Sequence, residues 1–266
     1  MHNSLKQKMP AVIISLIMPP GLCRCLARTT ALVTLTALTL STAEVLSSPD
    51  AEPESIVLED FEGDEAGSFP AGWRWRGWGE IREKPYRVEV EGSNGFLRAE
   101  DTGQNVVLVK ALSWDLQKYR YLSWRWRIRA LPQGADERRE KSADSAAGLY
   151  LFYRKKLGLV PVMIKFVWSN RLPAGAAFRR SGIGMPWTIV AGSGASSLNE
   201  WHTFVYDARE AYRETFGGNP GGSPLGIGIL SDANNTGGRA FADYDDIVVW
   251  KRADFAERIR QFIAAE

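Results

Sequence analysis

The chain has 266 residues, 45% hydrophobic and 24% charged, which fits one or two folded domains and excludes a disordered polymer. The formal net charge is +2, yet Lys6, Lys8, Arg24 and Arg28 stand in the first 43 positions with no acid among them. Without those four, 29 basic residues face 31 acidic ones, a near-neutral balance that argues against a nucleic-acid partner, which needs a clustered basic face.

Residues 1–43 read as a secretory signal peptide. Arg24 and Arg28 precede an uncharged, largely apolar run over 31–40, and Ser41-Thr42-Ala43 supplies a small-x-small cleavage site before Glu44. The run is too short for a comfortable membrane span. The stretch before Cys23 looks like an over-long start, with Met9 and Met18 as alternative initiators. The expected location is periplasmic or secreted, after cleavage near Ala43. Both cysteines, Cys23 and Cys25, leave with the leader, so the mature chain needs no disulfide and has no thiolate for a metal. Residues 44–55 form a polar spacer.

From Ile56 the text becomes short apolar or alternating runs punctuated by Gly, Pro, Asn and Asp. Strands are predicted over 56–61, 86–91, 96–100, 106–112, 121–130, 148–153, 162–168, 187–191, 201–206, 225–230 and 241–250. With no helical crossovers between them, a parallel α/β sheet is excluded. In Leu122-Ser-Trp-Arg-Trp-Arg-Ile-Arg129 every second residue is apolar, so one face lies on a core and the other toward water or a polar layer. Residues 131–144, charged and holding Pro132 and Gly134, are expected to be an exposed loop. Asp207 caps a short helix over 208–216 that Gly217 closes. The tail over 253–266 spaces Phe255, Ile259, Phe262 and Ile263 as an amphipathic helix packed on the domain. The fold class is therefore all-β: a jelly-roll-type β-sandwich over 56–252 with two helices.

Six landmarks recur in order: Asp60-Phe-Glu62, Leu122-Ser-Trp-Arg-Trp-Arg127, Asp144 before Leu149-Tyr-Leu-Phe152, Lys165-Phe-Val-Trp-Ser169, Asp232-Ala-Asn-Asn-Thr-Gly237 and Asp243-Tyr-Asp-Asp-Ile247. Together, over about 57–251, they resemble the bacterial exported family catalogued as domain of unknown function 3047. That resemblance carries no established activity. Its members tend to show paired Asp and then Arg where this chain has Asp144-Ser145 and Gly148, so a polar site built on that trio would be degraded here. The first and last motifs also resemble galactose-binding-type jelly rolls, which implies that the first and last strands lie side by side, where carboxylates often hold a structural calcium.

Four constellations carry chemistry. Asp60, Glu62, Asp245 and Asp246 would converge if the end strands pair, and crowded carboxylates call for a hard cation such as Ca2+; the plainer reading is solvated strand-end acids. Arg125, Arg127 and Arg129 share one strand face and suit an acidic glycan, or else pair with acids such as Glu89 and Glu91 on neighbouring strands. Trp73, Trp75 and Trp78 form a stacking platform for sugar rings, or else plug one end of the sandwich with Arg74 and Arg76 exposed. Asp232 and Asn235 sit in a polar loop suited to a ligand, or simply to a turn. His202, the one histidine after cleavage, is a strand residue without partners for a zinc site or a triad. No organic cofactor is expected.

The residues favour an exported, non-catalytic protein that recognises a carbohydrate or envelope glycan. Two alternatives stay open: a lyase-like polysaccharide enzyme, and a structural or partner-binding envelope subunit.

Overall fold

The computed structural model describes residues 52–76, 85–154 and 161–252. The expected leader, Trp78 and the expected C-terminal helix lie outside the described residues.

All eleven predicted strands form. They are β1 (Ser55–Glu59), β3 (Tyr86–Glu91), β4 (Asn94–Asp101), β5 (Val107–Ala111), β6 (Tyr121–Ala130), β7 (Ala147–Tyr153), β8 (Val162–Ser169), β10 (Trp187–Ser193), β11 (Trp201–Asp207), β12 (Gly226–Ile229) and β13 (Ala240–Trp250). Two three-residue strands, β2 (Arg74–Arg76) and β9 (Ala177–Arg179), join them; each is too short to show alternation in the text.

One sheet runs β11-β6-β13-β4-β3, with β1 also on β13; the other runs β2-β5-β12-β7-β8-β10-β9. Leaving out the edge additions, the sheets read β4-β13-β6-β11 and β5-β12-β7-β8, the order that two Greek keys produce in a jelly roll. The long last strand serves two partners on one side: its first half pairs with β4 and its second half with β1.

The core fills the space between the sheets. Leu122, Trp124, Trp126 and Ile128 of β6 all point inward and are buried. Trp124 packs on Phe204 and Tyr206 of β11, with centroids at 5.6 and 5.7 Å, and on Phe166 of the opposite sheet at 5.0 Å. Each such indole removes some 150–250 Å² from water, about 4–6 kcal/mol before entropic costs.

The helix α1 (Ala208–Phe216) forms as its caps specify. The Asp207 carboxylate accepts from the Glu210 amide at 3.0 Å, and the Gly217 amide donates to the Arg213 carbonyl at 3.0 Å. Ala208, Ala211 and Tyr212 are buried. No helix among the described residues is long and apolar enough to cross a membrane.

The segment 131–144, expected to be an exposed loop, is exposed at Gln133, Gly134 and 138–141 and buried or half-buried elsewhere along its length. Pro132, Ala135, Asp136, Glu137, Ala143 and Asp144 are buried. Two of its acids are paired: Ser169 at the end of β8 donates to Glu137 at 2.7 Å, and Arg138 of the same segment closes on Asp136 at 2.9 Å.

Candidate functional site

Trp73 and Trp75 do not form a surface platform. Trp73 is buried, its Nε1 donates to Glu59 Oε2 at 2.6 Å, and its ring stacks on Phe61 at 6.2 Å. Glu59 also accepts from Lys110 Nζ at 2.7 Å and from the amides of Asp60 and Phe61. Trp75 sits opposite the inward-facing Leu108 on β5 and packs edge-on to Phe69 at 5.5 Å. Alternation along β2 then turns Arg74 and Arg76 outward, both exposed. Trp73 and Trp75 plug the sandwich and the arginines carry the surface.

The arginine row is spoken for. Consecutive carboxylates on a strand normally point apart, but β13 has a register shift between Asp245 and Val248, and Asp246 is left-handed at φ 48°. That bulge aims both acids at one guanidinium: Asp245 lies 2.7 Å and Asp246 2.6 Å from Arg125, which also donates to Asn94. Arg127 pairs with Glu91 and Asp243 and lies over the rings of Trp201 and Phe96 at 4.7 and 5.0 Å. Arg129 takes Glu100. This face is internally neutralised, so Arg125 and Arg127 are not presented as an anion grip.

The four carboxylates expected to converge go separate ways, although β1 and β13 do pair. Asp60 and Glu62 lie beyond the end of β1; Asp60 accepts from the Glu62 amide and Glu62 from the Gly95 amide. Asp245 and Asp246 hold Arg125. Among the described residues no group of three or more His, Cys, Asp or Glu side chains is arranged to hold a metal ion. His202 is buried, within 3.3 Å of the Ser197 carbonyl and against Trp168, an ordinary strand histidine.

The outer face of the seven-stranded sheet is different. Leu149, Leu151 and Tyr153 of β7 enter the core, so Gly148, Tyr150 and Phe152 face out. Tyr150 pairs with Gly228 and Phe152 with Gly226 on β12. A Cβ on Gly228 would lie 2.9 Å from Phe152 Cε2; the glycine lets the ring lie flat on the sheet. The Tyr150 and Phe152 rings are parallel, 5° apart in plane with centroids at 5.9 Å. Beside them runs a groove of about 330 Å³ floored by Val109, Met163 and Gly226 and flanked by Arg74 and Arg76. Sequence reasoning overlooked these rings; the signal was there in Leu149-Tyr-Leu-Phe152 set against Gly226-Ile-Gly-Ile229, aromatics on one strand opposite glycines on its neighbour.

Past Tyr150 the same face ends in a buried polar cluster. Lys165 pairs in register with Tyr150 and its ammonium lies 5.4 Å from that ring. The lysine crosses Gly148, where a Cβ would meet its Cε at 2.7 Å. Its Nζ donates to Ser145 Oγ at 3.1 Å. Asp232 is joined to Ser145 by backbone bonds of 3.2 and 3.0 Å. Asp144, fully buried, accepts from the amides of Asn235 and Thr236, the Asn235 side chain and the Thr236 hydroxyl. Asn235 is thus the clamp of a loop.

Burial pushes the Asp232 carboxyl up to about 6; Asp144 adds to the rise and Lys165 opposes it. A raised carboxyl favours the folded state only while protonated, so this contribution is full below the unfolded value near 4 and is lost as pH rises through 6. Asp232→Asn is expected to abolish a fall of roughly 3 kcal/mol between pH 4 and pH 8. Chemical denaturation across that range checks it; an unchanged pH slope contradicts it.

By sequence, no curated protein matches the chain. Among solved structures, the family 11 carbohydrate-binding module of the cellulase Lic26A-Cel5E from Clostridium thermocellum is similar at 12% identity and a TM-score of 0.41, covering 76% of this chain and 97% of the module. A family 30 carbohydrate-binding module of Cel9D-Cel44B from the same organism matches at 12% identity and 0.39, covering 74% and 99%. A cellulase derived from Cel12A of Rhodothermus marinus matches at 12% and 0.38, covering 61% and 84%. The model of the family described as "Protein of unknown function (DUF3047)" matches residues 71–248, and with more than half of its length so covered the chain belongs to that family.

Proposed function

We propose that the outer face of the seven-stranded sheet recognises a carbohydrate without transforming it, in a mature protein exported from the cytoplasm. The observation that carries this reading is the half-buried ring of Phe152, which lies against Gly228 and lines the groove, with the buried Tyr150 ring parallel to it. Sugar rings present C–H faces that pack on aromatic planes, and their hydroxyls accept from charged donors at the rim. A shelf built from sheet residues is ordered before a ligand arrives, which lowers the entropic cost of binding.

Phe152→Ala is expected to weaken glycan affinity about tenfold. Calorimetric titration of oligosaccharides drawn from a glycan array provides the measurement. Unchanged affinity in this variant, or no glycan bound by the parent, removes the proposal. Cleavage is the rival that one observation favours, since an acid at about 6 such as Asp232 is suited to proton transfer. Accumulation of new reducing or unsaturated ends with envelope polysaccharides would replace the binding reading with that one.

A further inference from the structure

The groove has a charge of one sign. Among the described residues its charged lining is Arg74, Arg76 and Lys110, with no carboxylate. A second depression of about 480 Å³ continues it, sharing Ala111 and Leu225 and adding Arg154. Lys110 is neutralised by Glu59 at 2.7 Å. Arg74, Arg76 and Arg154 are exposed, and among the described residues no ion pair engages them.

The opposite face gives the contrast. There Arg87, Arg98, Arg125, Arg127 and Arg129 all have carboxylates within ion-pair distance. The acids so fully supplied on one sheet are, among the described residues, missing from the three arginines along the groove of the other. Arg74 and Arg76 are two apart on one strand, which puts their Cα atoms about 6.5–7 Å apart on the same side. Guanidinium forks spaced so can take successive carboxylates or sulfates bidentately, and little is lost in separating them from existing partners.

We infer that the ligand of this groove is an acidic polysaccharide, its anionic groups received by Arg74, Arg76 and Arg154 and a ring face by Phe152. This rests on the glycan reading above and names the class of sugar. A neutral glucan or mannan would leave the three cations without counter-charge, whereas an acidic chain uses both halves of the site. Because the arginines are exposed, the ionic part of the affinity is screened by salt, the Debye length being about 10 Å at 0.1 M.

The test titrates the purified protein with a polyuronate, a sulfated glycosaminoglycan, an uncharged glucan, an uncharged mannan and single-stranded DNA, each at low and high salt. Binding to at least one acidic polysaccharide more than about tenfold tighter than to the neutral chains is expected, weakening as salt rises. R74Q/R76Q should lose at least that factor with an unchanged melting temperature. K141A/R239A, which removes two exposed charges elsewhere, should not. Carboxylate and sulfate ligands are told apart by which of the two acidic chains binds. Neutral chains bound as tightly, with R74Q/R76Q silent, overturn the acidic assignment and leave sugar recognition standing. No polysaccharide bound at all overturns both, and a preference for DNA overturns the carbohydrate itself.

Discussion

Arg125→Met should cost about 3–5 kcal/mol of folding stability, the largest single effect expected on the six-stranded sheet. Arg125 and Asp245 are 6% and 1% exposed, so removing the guanidinium strands the Asp245 carboxylate where water cannot replace it and leaves the half-buried Asp246 beside it. The pH dependence identifies the cause. Burial and the adjacent Asp246 charge already hold the Asp245 carboxyl well above the usual carboxylate range, with Arg125 and Asn94 opposing the rise. Raised acids stabilise the fold below their unfolded values and lose that contribution as pH climbs through the folded one. Without Arg125 the Asp245 value rises further, so the variant's deficit should be smallest near pH 4 and largest above pH 8. Arg125→Met with Asp245→Asn should recover a large part of the loss, because the stranded charge has gone. Denaturant midpoints of the two variants at pH 4 and pH 8 decide it. An equal deficit at both pH values would mean that lost packing on Trp201, 5.1 Å from the guanidinium, accounts for the effect.

The sheet that holds this pair was largely legible in the sequence. Alternation in β6 separates Leu122, Trp124, Trp126 and Ile128 from the arginines, because burial imposes a period of two that local text records. The cap at Asp207 is legible for the same reason: Glu210 and Gly217 lie within one helix length. What the text could not show was the destination of the polar half. Arg125 meets Asp245 across 120 residues of chain, and the bulge that turns Asp246 toward the same guanidinium comes from a left-handed residue with no glycine to announce it. Read alone, a row of arginines fits an open grip or pairing with acids such as Glu91; the register of β6 on β13 shows it closed, with Arg127 on Glu91 and Asp243.

The groove was hidden for a related reason. Arg74 and Arg76 were visible, but that no acid among the described residues pairs with them is a property of the assembled surface. Gly228 looks like a weak point in a strand until β7 is laid beside it and the ring of Phe152 is found to need the room. Asp60 and Glu62 drew notice by sitting in a recognisable motif. The acid that organises that corner is their neighbour Glu59, whose four contacts come from three separate stretches of chain.

Trp73→Ala separates these two ways of reading an aromatic residue. A sugar-stacking tryptophan lost to alanine weakens binding and leaves the fold intact. Trp73 is 6% exposed and hydrogen-bonded to buried Glu59, so its loss should destabilise the protein by about 3–5 kcal/mol through cavity formation. Trp73→Phe keeps most of the ring contact with Phe61 but deletes the Nε1 donor, and should cost about 1–3 kcal/mol, the penalty for a buried acceptor short of one partner. Lys110 stays on the same carboxylate oxygen at 2.7 Å and keeps that cost toward the lower end. Melting curves of the two variants beside Phe152→Ala give the comparison: Trp73 should register in stability, Phe152 in glycan affinity. The opposite assignment would return the binding surface to the tryptophan loop.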